Sequence, residues 1–216
     1  MRHFSIVILL ILNIFISATI SCFAAIRGGI DYSIPIDYRN LNEQELMLKA
    51  DSFFYNAEKL KDGMLNEDMT SALILYNILQ NKNPEELIYP IKLGILYDKL
   101  NKDRQSKGCF FRAIGIDKTH PKPYFYLGEF YYKRASYRKA LKYYNEAYIK
   151  GLNTNYDLLF KMGDIYQKLG DTRSSLKYLK EAQAQSPNED LSRKIRLIET
   201  LDPINKEYYS NTRIRN

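Results

Sequence analysis

Three short segments of this chain carry one signature at a near-constant interval: "KLGILYDKL" from Lys92, "YLGEFYYKR" from Tyr126 and "KMGDIYQKL" from Lys161. Each has an apolar residue before a glycine and a tyrosine three residues after it. The glycines, Gly94, Gly128 and Gly163, stand 34 and 35 residues apart. The agreement continues downstream: twelve residues after each glycine comes a small side chain (Ser106, Ala140, Ser175), and nineteen after it an alanine (Ala113, Ala147, Ala182). Between those two lies a bulky residue, Phe110, Tyr144 or Leu179. Glycine inside a helix costs about 1 kcal/mol relative to alanine, so its recurrence needs a packing reason. Two antiparallel helices supply one. Their backbones approach at the glycine and the small residue, and the larger side chains fill the remaining space.

These residues resemble the tetratricopeptide repeat, a 34-residue helix-turn-helix with a Trp-x2-Leu-Gly-x2-Tyr run followed by Ala, an aromatic, Ala and Pro. Pro187 follows Ser175 by twelve residues, as Pro84 follows Ala72. The resemblance covers about residues 43–201 and implies an all-α, tetratricopeptide-type helical solenoid of antiparallel helix pairs. Its units are 87–120, 121–154 and 156–189, with one extra residue at the second junction. A degenerate unit, 43–86, precedes them: Ala50-x-x-Phe53 stands for Gly-x-x-Tyr, and Ala72, Tyr76 and Pro84 belong to its second helix. About ten additional residues around "LKDGMLNEDM" lengthen its inter-helix loop, which a surface turn tolerates. Asn42 with Glu45 reads as a capping box opening the first helix. A capping helix over 188–201, with Leu191, Ile195, Ile198 and Leu201 on one stripe, would give the array a polar end. Residues 202–216 lack apolar periodicity and read as a flexible tail.

The stretch "YFYLGEFYYKRASYRKALKYYNEA", residues 124–147, has the composition of a surface that stacks bases and holds phosphates. The repeat accounts for Tyr124, Leu127, Gly128, Tyr131, Ala140, Tyr144 and Ala147 as packing positions, so nucleic acid is not an expected partner. The resemblance implies that the other residues of each first helix form a concave partner groove. These are Ile91, Ile95 and Lys99 in one unit, Phe125, Glu129, Tyr132 and Lys133 in the next, and Phe160, Asp164, Gln167 and Lys168 in the third. Such a mixed groove suits an extended peptide or an amphipathic helix with aromatic anchors. One subtype of the family clamps a C-terminal carboxylate with basic and asparagine side chains. Ile91 and Ile95 stand where polar clamp residues would be, which argues against chaperone-tail recognition. On the second helix, which the resemblance turns outward, Arg138, Lys139 and Lys142 form a basic face. It is either a solvated surface or a contact for anionic lipid or an acidic cell-wall polymer.

Composition adds the setting. A chain of 216 residues, 45% apolar and 26% charged, has the balance of one folded unit. Of its net charge of +7, much is local: residues 122–150 hold seven cations against two carboxylates. "MRHFSIVILLILNIFISATISCFAA" opens with a cation, continues apolar and ends on small residues, the pattern of a secretory leader over 1–24. Three outcomes fit it: cleavage after Ala24, retention of residues 4–26 as a membrane anchor, or lipid attachment at Cys22. Each places the body outside the cytoplasm, periplasmic or extracellular. Residues 25–42 read as an extended linker with Ile-Asp-Tyr at 30–32 and again at 36–38, either a spacer or a docking peptide. Cys22 and Cys109 do not make a disulfide framework, and Cys109 within a helix reads as a small buried hydrophobe. The sequence shows no CxxC, HExxH, phosphate loop or GxSxG, and His120 is too far along the chain from Cys109 to read as its base. The expectation is therefore a non-enzymatic exported scaffold, without cofactor or metal, binding a protein or peptide in a bacterial envelope or secretion assembly. The alternative is a binder of anionic lipid or wall polymer through the basic helix, and the third reading is an enzyme without a visible site.

Overall fold

The computed structural model of the chain describes residues 38 and 40–213, with side chains as far as Leu201. The leader and most of the linker lie outside the described residues. Among those described, the elements are nine α-helices and one π-helical turn, without a strand. In chain order they are α1 (Glu43–Glu58), α2 (Glu67–Lys82), α3 (Ile88–Lys99), α4 (Asp103–Ile116), α5 (Pro121–Lys133) and α6 (Tyr137–Ala147). The π turn (Tyr148–Leu152) follows, then α7 (Tyr156–Lys168), α8 (Thr172–Gln185) and α9 (Glu189–Arg213). The chain divides into two compact units, Met1–Asn101 and Lys102–Asn216. The division falls inside the repeat expected at 87–120, with α3 in the first unit and α4 in the second.

In the first unit Asn42 opens α1 with a full capping box. Its side chain accepts from the Glu45 N–H at 3.0 Å, and the Glu45 carboxylate accepts from the Asn42 N–H at 2.9 Å. α1 and α2 pack through Leu46, Ala50, Phe54, Leu73 and Tyr76, all buried. The loop between these helices holds Gly63 at φ +85°, and the Gly63 N–H donates to the Lys99 carbonyl at 2.6 Å. The inserted residues are thus fastened to the end of α3.

In the second unit α5 packs on α6 and α7 on α8. Gly128 lies against the Tyr144 ring and Gly163 against Leu179, so each first helix meets its second at the glycine. Ala113, Ala147 and Ala182 are fully buried, as the close approach requires. Ala140, Leu141, Tyr144, Leu158, Met162 and Ile165 form one core cluster; Leu159, Leu179, Leu191, Ile195 and Ile198 form the next. Two expectations need correction. Leu201 is 46% exposed, outside the buried stripe that Leu191, Ile195 and Ile198 make. The helix also runs on to Arg213, where a tail was expected from 202. Pro203 withholds one donor from it, while the missing apolar periodicity bears on packing and not on backbone helicity.

The extra residue at the junction of the last two repeats falls in the segment that holds the π turn, whose wider i→i+5 loop closes the end of α6 and kinks at Gly151. Gly151 sits there at φ +118°, a conformation open to glycine and strained for any other residue.

Candidate partner-binding face

Of the eleven groove candidates, eight fall in the second unit, on α5 and α7. Three of them, Glu129, Tyr132 and Asp164, are not free side chains but rungs of a polar ladder joining α5, α7 and α9. Glu129 accepts from the Tyr144 hydroxyl at 2.5 Å and is ion-paired with Lys161 of α7. The Tyr132 hydroxyl donates to Asp164 at 2.7 Å, and Asp164 also accepts from Lys168 at 2.6 Å and from Lys194 of α9 at 3.2 Å. Burial pushes the Tyr144 phenol up, and the charge and hydrogen bond of Glu129 push it further. Burial and then the hydrogen bond to Asp164 do the same to Tyr132. Both phenols therefore stay protonated donors at neutral pH. Burial also pushes the Asp164 carboxyl up, but hydrogen bonds from Lys168, Tyr132 and Lys194 outweigh it, and the group ends below the usual carboxylate range.

Between the rungs stand two half-buried phenylalanines. Lys161 lies 5.9 Å from the Phe125 ring centre and Lys194 lies 5.2 Å from that of Phe160. Each lysine so bridges a carboxylate and an aromatic ring, Glu129 and Phe125 in one case, Asp164 and Phe160 in the other. Lys133, Gln167 and Lys168 are exposed along the same helices. The face offers two aromatic steps framed by fixed charges of both signs, with exposed polar and cationic side chains at its edge. Such an arrangement can hold an extended segment by apolar contact and by charge-assisted hydrogen bonds.

The three candidates in the first unit stand differently. Ile91 is 2% exposed and belongs to the core, which removes it from any open groove; α3 is apolar around its circumference and buries both faces. Ile95 is half-buried, and Lys99, also half-buried, pairs with Asp62 at 3.5 Å. A ladder of the same kind recurs here. Asp51 accepts from the Tyr76 hydroxyl at 2.5 Å and pairs with Lys92 at 3.6 Å, and the Lys92 ammonium lies 3.8 Å from the Phe54 ring centre.

Sequence reasoning missed Lys92, Lys161, Lys194 and Asp51, though it named Lys168. Their signal is present all the same: a carboxylate directly after the glycine position (Asp51, Glu129, Asp164), and a lysine two residues before the next glycine (Lys92, Lys161). In the 87–120 repeat both change together, Ile95 following Gly94 and Tyr126 standing two before Gly128. Arg138, Lys139 and Lys142 are exposed on α6. Burial pushes the Cys109 thiol up to about 12, so at neutral pH it is no thiolate nucleophile. His120 caps α5, its Nδ1 accepting from the Lys122 N–H at 3.3 Å. Among the described residues no cluster of three or more His, Cys, Asp or Glu could hold a metal ion, and no helix is long and apolar enough to cross a membrane.

Residues 156–189, from the start of α7 to the start of α9, match the family model described as tetratricopeptide repeat. A comparison with curated proteins gives no match. Among solved structures the chain is similar to the crystal structure of MamA, at 16% identity and a TM-score of 0.59, covering 78% of this chain and 88% of that one. It is also similar to YrrB, described as a TPR protein with an unusual peptide-binding site, at 20% identity and a TM-score of 0.55, covering 62% of this chain and 70% of that one. At these identities the likeness concerns the fold, which is the all-α, tetratricopeptide-type assembly of antiparallel helix pairs.

Proposed function

We propose that this chain is a non-catalytic scaffold that binds a protein or peptide partner along the face formed by α5, α7 and α9. The observation that carries the reading is the repeated step of Phe125 with Lys161 and Phe160 with Lys194, two half-exposed aromatics held in register by the ladder beneath them. Aromatic anchors in a pre-organised frame supply most of the energy of a small interface. The frame is rigid because Glu129 and Asp164 each join neighbouring first helices. The fold likeness to YrrB, a TPR protein with an unusual peptide-binding site, supports the same use of the fold. The apolar leader supports a place outside the cytoplasm, in a bacterial envelope or secretion assembly.

Partner capture from an envelope extract tests it, with the wild-type chain beside Phe125→Glu/Phe160→Glu and Arg138→Glu/Lys142→Glu variants. The expected outcome is a protein retained by wild type and by the α6 variant, and lost at least tenfold by the phenylalanine variant. Retention by all three chains, with circular dichroism showing each folded, would sink the reading.

A further inference from the structure

Four pairs of like residues recur at one interval of 35 across the last two repeats: Arg138 and Arg173, Lys142 and Lys177, Tyr143 and Tyr178, Tyr131 and Tyr166. The cations are exposed on the second helices, α6 and α8, opposite in role to the face that carries the phenylalanine steps. Contact between Tyr148 and Tyr178, ring centres 6.0 Å apart, brings the end of α6 against α8. We infer that the outer face of α6 and α8 is a docking surface for an anionic lipid membrane.

Three observations support this. The arginines are each the second residue of their helix, where the helix dipole opposes a cation. Neither helix has an acidic residue in its first turn. Among the described residues Arg138, Lys139, Lys142, Arg173 and Lys177 take part in no ion pair; the pairs on these helices are Lys150 with Glu146 and Lys180 with Glu199. Arg173 lies near the N-cap carboxylate Asp171, which offsets part of its charge. Four cations without an ion-pair partner and a partly offset Arg173, two of the five set against the helix dipole, form a surface that an anionic plane would stabilise.

The tyrosines decide between anionic partners. Tyr131 and Tyr143 stack at 5.4 Å with an interplanar angle of 3°, and Tyr166 and Tyr178 at 5.5 Å with 4°. Lysine ammoniums lie 5.6 Å from Tyr131, 5.7 Å from Tyr143 and 5.0 Å from Tyr178. The inner ring faces are occupied by each other and lysines stand near Tyr131, Tyr143 and Tyr178, which leaves little aromatic surface for the base stacking that single-stranded nucleic acid needs. Amphipathic rings beside cations suit the headgroup layer instead. Ile149, 77% exposed just past the end of α6, offers an aliphatic side chain to enter it.

The test is cosedimentation of the full chain with vesicles of phosphatidylcholine alone and of phosphatidylcholine containing one third phosphatidylglycerol. The leader and linker, with Arg2, Arg27 and Arg39, are the same in wild type and variants, so the change of the ratio on substitution reads the basic face. Wild type is expected to favour the anionic vesicles strongly, and the preference should weaken as salt rises. Each cation contributes about fivefold, so Arg138→Gln/Lys142→Gln and Arg173→Gln/Lys177→Gln should each reduce the ratio at least tenfold. Phe125→Glu/Phe160→Glu should leave it unchanged, which separates this surface from the peptide face. Equal affinity of wild type for both vesicles overturns the inference, as does an unchanged ratio in folded glutamine variants. Tighter binding to single-stranded oligothymidine than to the anionic vesicles also overturns it.

Discussion

At position 128 a single methyl group would overlap the Tyr144 ring, and at 163 it would come within 2.6 Å of Leu179 Cγ. Alanine is the better helix former by about 1 kcal/mol, but overpacking a buried contact costs about 1–3 kcal/mol. Gly128→Ala is therefore expected to lower the urea midpoint, and a midpoint at or above wild type would show that the helices can part without loss. The partner position gives the opposite sign. Ser106 and Ser175 are fully buried with hydroxyl oxygens that have no hydrogen-bond partner, whereas the middle repeat has Ala140 in the same place. A buried unsatisfied hydroxyl costs about 1–3 kcal/mol, so Ser175→Ala should raise the melting temperature by several degrees. A melting temperature below wild type would mean that the hydroxyl has a partner after all.

Between helices, the ladder trades burial for register. A carboxylate taken partly out of water is stabilising only while its partners remain, and removing one partner leaves an uncompensated charge that costs about 3–5 kcal/mol when fully buried. Asp164 lies below its ordinary range in the folded state, so its stabilisation is complete above the ordinary carboxylate value of about 3.9 and is lost as pH falls through the folded value. Asp164→Asn should consequently be less stable than wild type at neutral pH, and the two unfolding curves should converge in acid. Parallel curves down to the lowest pH would mean that Asp164 titrates alike in both states. The π turn is the second device at this scale. Gly151→Ala places a side chain at φ +118°, a strain of about 1–3 kcal/mol. Its thermal midpoint should drop although nothing lies within 4 Å of the new methyl group. An unchanged midpoint would show the turn relaxing to an ordinary conformation.

Across the described residues, charge and aromatic side chains are arrayed along helix faces, and under the proposed export these faces would act outside the cytoplasm. On the proposed export the chain should fractionate with the envelope, beginning at Ala25 if cleaved, at Cys22 if lipidated and near Met1 if anchored; mass spectrometry of a cytosolic chain starting at Met1 would refute export. The amino-acid sequence by itself determined the helical hairpin and its period, because close approach needs glycine and alanine at set intervals and Gly94, Gly128 and Gly163 announce them. It also marked the extra residue at the junction that holds the π turn. Only the tertiary structure decided which candidates are free. Ile91 counts as a groove position on the helical period, yet α3 is covered on both sides and takes it into the core. Glu129, Tyr132 and Asp164 count as groove positions too, yet Glu129 is committed to Lys161, Tyr132 to Asp164 and Asp164 to Lys194, each about thirty residues away. A repeat shows in one dimension because its packing partners lie within one period; a ladder between repeats depends on which side chains face each other across two helices, and that is set by how the hairpins stack.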